Sequence, residues 1–235
     1  MGECVSFKER VRLAMIAAAT DYKNNFIDYE YLVYSDSFEN KDYYIIDAKE
    51  DNYQHLTGVN SLISASSFFE KCYNGTLQES DFDFSKKEQD EKIVKGTVRR
   101  KISVLPHMMN IFSKSLMVEE CFQKNTVICS FATTDGQLTL GFIDSGKSRP
   151  KTLIKGDGLN KSKSKPILLV LRKKSDEALF SDIVIGDLKL VKANKHKFEA
   201  ILSEKLINQV NMIEPLPKIE SKKSTDKVSP TEKAV

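Results

Sequence analysis

The sequence predicts an α+β protein, with N-terminal helices ahead of a mainly antiparallel β-sheet and a disordered C-terminal tail. Three observations predict it. Helical periodicity is strongest before residue 112. From 116 to 191, strand-like runs follow one another with turn signals and no helix between them, whereas a doubly wound fold needs strands alternating with helices. From Glu214 onward, prolines and scattered Lys, Ser and Thr replace any period.

Residues 5–24 read as a helix, with Val5, Leu13, Ile16 and Ala17 on one face and charges at Lys8, Glu9, Arg10 and Arg12. Residues 27–35 alternate and place Ile27, Tyr29, Tyr31 and Val33 on one side of a half-buried strand. Tyr43–Ala48 forms a second strand, joined to the first as a hairpin by polar, turn-like residues. Residues 52–59 show no period and read as a connection from strand to helix. Ser61–Tyr73 is a short amphipathic helix stopped by Asn74-Gly75. In Glu91–Phe112, Val94, Val98, Ile102, Leu105, Met109 and Phe112 recur every three or four residues. Pro106 lies inside this pattern and is expected to kink or break the helix.

Strand-like runs follow at Leu116–Val118, Thr126–Thr133, Gln137–Asp144, Lys151–Lys155 and Pro166–Arg172, with Thr134-Asp135-Gly136 as a hairpin signal. Ile183–Ile185 and Leu188–Val191 read as a short pair about Gly186-Asp187, and residues 196–210 as a last helix. The chain then divides into an N-terminal helix over 1–26, an α+β domain over 27–212 and a tail over 213–235.

The net charge of +3 hides two opposed regions. Residues 147–174 hold ten Lys or Arg against Asp157 alone, while residues 28–51 hold eight Asp or Glu against Lys41 and Lys49. A basic stretch attracts phosphate backbones through counterion release. A lysine-rich loop such as Lys161–Lys165 can instead blunt a sheet edge. The phosphate reading is favoured because the charges continue onto the flanking strands, although no aromatic residues interleave them.

No run approaches the ~18 apolar residues of a membrane span, and the first residues lack the pattern of a signal peptide. Met1-Gly2-Glu3-Cys4-Val5-Ser6 fits the short myristoylation pattern, and Asn74-Gly75-Thr76 reads as a turn rather than a glycosylation acceptor. Cys4, Cys72, Cys121 and Cys129 form no C-x-x-C pair and read as reduced residues of a cytoplasmic protein. No metal or cofactor is expected, since metal-ligand spacing, nucleotide-binding glycine loops and nucleophile elbows are all missing.

Of the three histidines, His196 sits in Lys195-His196-Lys197 at an expected helix start, and His107 follows Pro106 as a packing or capping residue. His55 stands in Gln54-His55-Leu56-Thr57-Gly58, where an imidazole can exchange protons near neutral pH or serve a structural hydrogen bond.

Asn52-Tyr53-Gln54-His55-Leu56-Thr57-Gly58-Val59, the helix with Phe68-Phe69, the long Lys-containing helix and Arg149-Pro150-Lys151-Thr152-Leu153-Ile154-Lys155 together carry a resemblance. Over about residues 27–190 the chain resembles a phage- and mobile-element-associated group of the Barnase–EndoU–colicin–RelE superfamily. The resemblance implies N-terminal helices with an antiparallel sheet, and metal-free RNA cleavage in which the 2′-hydroxyl is the nucleophile. That reaction needs a base for the 2′ proton, an acid for the departing 5′ oxygen, and cations on the phosphate. Carried onto matching positions, His55 is the acid/base candidate. Thr57 becomes its orienting or phosphate-binding neighbour, Lys151 a phosphate-neutralising group, and Thr152 the remaining matched position. Lys95, Arg99, Lys155 and Arg172 join them as phosphate or RNA contacts, the first two because they lie four apart on one helical face.

RNA is the expected partner on this reading, together with a protein antidote or regulator. Two rival readings use the same residues differently. One is a non-catalytic nucleic-acid-binding module; the other is an interaction protein whose acidic hairpin docks a basic partner. Convergence of His55 with Lys or Arg in a cleft favours catalysis, and an exposed acidic patch without such a cleft favours docking.

Overall fold

In the computed structural model, which describes residues 5–213, the Ser6 hydroxyl accepts the Glu9 amide and starts α1 (Phe7–Tyr22). One π-helical turn, Lys23–Ile27, leads into β1 (Tyr29–Tyr34) and β2 (Tyr44–Asp47). Next come α2 (Asn52–Thr57), β3 (Asn60–Ser61), α3 (Ala65–Tyr73), β4 (Phe82–Asp83) and α4 (Glu91–Met108). The strands β5 (Met117–Glu120), β6 (Gln123–Lys124), β7 (Val127–Ile128), β8 (Phe131–Thr134) and β9 (Leu138–Ser145) follow. The chain continues through β10 (Lys147–Lys155), β11 (Lys165–Pro166), β12 (Leu169–Lys174) and β13 (Asp182–Ile185) to α5 (Leu188–Phe198) and α6 (Glu204–Met212).

Nine strands form one sheet in the order β11-β5-β8-β9-β10-β2-β1-β12-β13. Neighbours are antiparallel except β2 and β10, which meet in parallel only at Ile46 and Ser148. The α+β class with a mostly antiparallel sheet is therefore as expected, and so is the β1–β2 hairpin. Beyond that single paired position of β2 and β10, α2, the next helix after β2, packs against β10.

Alternation along β1 sends Tyr31 and Val33 to one face and Leu32 and Tyr34 to the other. The first face meets the larger core, where Tyr22, Phe26, Tyr53 and Phe68 are buried. The second meets α5 and α6 through Val191, Phe198, Leu206 and Val210. Hence β1 is buried on both sides rather than half-buried. The buried stripe of α1 is Val11, Met15, Ala18, Ala19 and Tyr22, whereas Val5 and Leu13 are 46% and 47% exposed. The true stripe steps between Arg10 and Arg12 instead of crossing the charges.

Other local expectations change. Residues 52–57 are helical, and six residues are too few for a period to show. Helix α4 continues past Pro106 to Met108, because a proline in the last turn removes a single amide bond and little helix follows it. Leu188–Val191 begins α5 rather than a strand, since the Asp187 carboxylate accepts the Leu190 amide as a cap. The single final helix is two, with a 3₁₀ turn at Glu199–Ile201 and Ser203 capping α6. His196 accordingly lies in the last turn of α5. The Met1-Gly2 pattern and the tail expected from Glu214 fall outside the described residues. Among the described residues, no helix is long and apolar enough to cross a membrane.

Candidate active site

The geometry of α2 follows from its alternation of buried and exposed positions. Asn52, Tyr53, Leu56 and Thr57 point inward, and His55 is exposed between them. The Tyr53 hydroxyl donates to the Met15 carbonyl (2.6 Å) and the Asn52 side chain accepts the Lys49 amide (2.8 Å), fixing the helix on its frame. Gly58 closes α2 with φ 82°, a left-handed value that glycine adopts freely. Thr57 corrects the expectation placed on it: its side chain is fully buried and its hydroxyl donates to the Gln54 carbonyl (2.8 Å). It closes the turn from a buried position.

Lys101 reaches α2 from α4. Its ammonium donates to the His55 carbonyl (2.6 Å), one of the orphan acceptors at the end of α2. A Cβ on Gly58 would lie 2.8 Å from Lys101 Cδ, so the glycine also makes room for the lysine stem. Lys86, between β4 and α4, lies close enough for its charge to act on both Lys101 and His55. Among the described residues, neither lysine has a carboxylate partner. Arg149 of β10 stands 3.9 Å from Asp51, the residue that precedes α2.

The protonation states follow from this crowding. Desolvation lowers the pKa of His55 below its ordinary 6.5; Lys101 and Lys86 push the same way and Asp51 opposes them. Burial, with Lys86 in second place, brings Lys101 down to about 8. Lys86 is exposed by surface area, and partial desolvation lowers its pKa. An uncompensated group of cations with shifted protonation is a physical signature of an anion-binding or catalytic site.

The other expected residues are not brought to His55. Lys151 is the extra residue of a bulge in β10, and its ammonium donates to the Ile128 carbonyl (2.8 Å). Thr152 is 8% exposed, with its methyl toward Gly141. Lys95 pairs with Glu91 (2.7 Å) and lies over the Phe84 ring, and Arg99 lies over Phe7. Arg172 lies over the Tyr29 ring and 3.2 Å from Asp182. Lys155 is exposed at the far end of β10. Lys101 was missed because it is off the Lys95–Arg99 face and belongs to no local motif.

The opposed charge regions meet in part inside the fold. Glu30 takes Lys147 (2.5 Å) and Lys173 (3.1 Å), and Asp47 takes Lys49 (2.7 Å). Of the ten cations at 147–174, Lys147, Arg149 and Lys173 therefore pair with the acidic stretch, and Glu30 and Asp47 are buried rather than displayed. A second histidine cluster is structural. His107 Nε2 lies 2.7 Å from Asp135, whose other oxygen accepts the Gln137 and Leu138 amides and pins the β8–β9 turn. Cys72 and Cys129 are buried, Cys121 is exposed, and all three are free thiols. Among the described residues, no three His, Cys, Asp or Glu side chains are grouped to hold a metal ion.

The chain is an α+β protein with helices on the first face of a mostly antiparallel sheet and with His55 beside Lys101. The chain matches the phage-Barnase-EndoU-ColicinE5/D-RelE like nuclease4 family over residues 15–205 and belongs to that family. No curated protein and no solved structure matched it. Membership of a nuclease family points to phosphodiester cleavage and a nucleic-acid substrate.

Proposed function

We propose that this chain is an RNA endonuclease that cleaves through the 2′-hydroxyl, with His55 as a proton-transfer group. The observation that supports this reading most is the gathering of Lys101 and Lys86 about His55, neither lysine with a carboxylate partner among the described residues. Two ammonium groups can neutralise a phosphodiester as negative charge builds on its oxygens. An imidazole shifted below its ordinary pKa is the free base at pH 7 and can accept the 2′ proton. Lys151 and Lys155 of β10, both exposed, are left to longer-range attraction of the strand. A protein antidote or regulator is compatible with such an activity.

The test is cleavage of end-labelled RNA in EDTA by wild type and His55→Ala. Wild type should yield 2′,3′-cyclic phosphate ends, and the variant should be slower by about 100-fold or more with RNA binding retained. Full cleavage by a folded His55→Ala protein overturns the assignment.

A further inference from the structure

Lys101 is not explained by packing alone. A lysine that merely satisfied a helix-end carbonyl could do so from solvent, at no desolvation cost. Here the stem crosses Gly58 and holds the amine 2.6 Å from the backbone oxygen of the residue whose imidazole is exposed. We propose that Lys101 is the general acid of this cleavage, giving its proton to the departing 5′ oxygen while His55 takes the proton of the 2′-hydroxyl. The proposal rests on the RNA-cleaving reading above.

Lys86, from the segment before α4, is the charge that acts on Lys101, while His55 feels Lys101, Asp51 and Lys86. They leave the two proton-transfer groups in opposite states at neutral pH. His55, below its ordinary 6.5, is a neutral base; Lys101, at about 8, is still mostly ammonium. An unperturbed lysine near 10.4 would hold its proton too firmly to release it in step with the leaving group. Lys86 is exposed and makes no side-chain hydrogen bond among the described residues, so it serves as a charge on the phosphate rather than a positioned acid.

In the reaction, the 2′ oxygen attacks phosphorus and the new 2′-O–P bond forms as the P–O5′ bond breaks. The 2′ proton goes to the His55 imidazole, and the 5′ oxygen leaves with a proton from Lys101. The products are a 2′,3′-cyclic phosphate and a 5′-hydroxyl. His55 is left cationic and Lys101 neutral, and exchange with water restores both. Charge and atoms balance without another reactant.

The experiment compares two substrates: a dinucleotide, whose 5′-alkoxide leaves poorly, and uridine 3′-(4-nitrophenyl phosphate), whose phenolate leaves without a proton. Lys101→Ala and Lys101→Arg should lose about 100-fold or more on the dinucleotide and stay within a few-fold of wild type on the nitrophenyl ester. His55→Ala should be slow on both. Arginine retains charge and hydrogen bonding but does not release a proton near neutral pH, so it guards against a variant that fails to fold. Equal losses on both substrates, or full rescue by arginine, make Lys101 a charge or a support and overturn the inference alone. A wild-type chain that cleaves neither substrate overturns the RNA-cleaving reading and the inference with it.

Discussion

Glu30 and Lys173 face each other across β1 and β12 as register partners, carboxylate to ammonium 3.1 Å, and both are buried. Lys147 approaches the same carboxylate from β10, so one glutamate ties the central strands to the opposite half of the sheet. Removing one member of a buried pair leaves its partner's charge without compensation. Glu30→Gln is therefore expected to destabilise the fold by about 3–5 kcal/mol, and Glu30→Gln with Lys173→Met by less than the sum of the single changes. Urea unfolding of the four proteins checks this; strict additivity would show that the pair does not act as a unit.

That pairing also shows why the fold was easier to read from the sequence than the site. Burial periodicity follows local physics, and the long pattern of α4 and the Asp135-Gly136 hairpin are visible in neighbouring residues. His55 stands out because its block is aperiodic and carries a lone imidazole. Thr57 is equally prominent, but its hydroxyl closes a turn, and no property of the string separates that role from ligand contact. Lys101 lies 46 residues from His55, and only the packing of α4 against α2 makes it the neighbour of that residue. Likewise, the basic stretch could not reveal that two of its charges, Lys147 and Lys173, are taken up by Glu30 and Asp47.

The β8–β9 turn should be sensitive to acid through Asp135. Burial alone would raise this carboxyl, but the His107 hydrogen bond, the Leu138 and Gln137 amides and Lys114 together hold it below its ordinary value. A depressed folded pKa contributes stability above the unfolded value, about 3.9, and that stability is lost as pH falls through the folded pKa. Asp135→Asn is thus expected to cost about 1.5–3 kcal/mol at pH 7, and the gap to wild type should narrow below about pH 4. Thermal unfolding at pH 7, 5, 4 and 3 measures it, and a gap that stays constant with pH would contradict the linkage.

Gly58→Ala tests the passage between α2 and α4. A φ of 82° costs an L-residue roughly 1–2 kcal/mol, and the new methyl would stand 2.8 Å from Lys101 Cδ. The lysine end can swing aside, so the chain should still fold, with a lower urea midpoint and unchanged m-value. The swing breaks the Lys101–His55 contact, so RNA cleavage should fall more than stability does. Normal cleavage by this variant would mean that the Lys101 position is irrelevant to turnover.

The pH dependence of stability offers a readout of Lys101 that needs no substrate. Burial, assisted by Lys86, lowers its pKa from the ordinary 10.5 to about 8. Below about pH 8 the folded and unfolded chains both hold the proton, and the folded state bears the cost of a partly desolvated ammonium. Between about 8 and 10.5 the unfolded chain holds a proton that the folded chain has released. Stability then rises with pH, because the unfolded state binds more protons. Lys101→Met removes this titration while keeping a stem of similar bulk. The stability of wild type relative to Lys101→Met should therefore shift in favour of wild type as pH rises from 7 to 10. Urea midpoints for both proteins at four pH values across that range give the difference directly. A difference that does not change with pH would mean that Lys101 titrates as a solvated lysine, too weakly acidic at neutral pH for the role assigned to it.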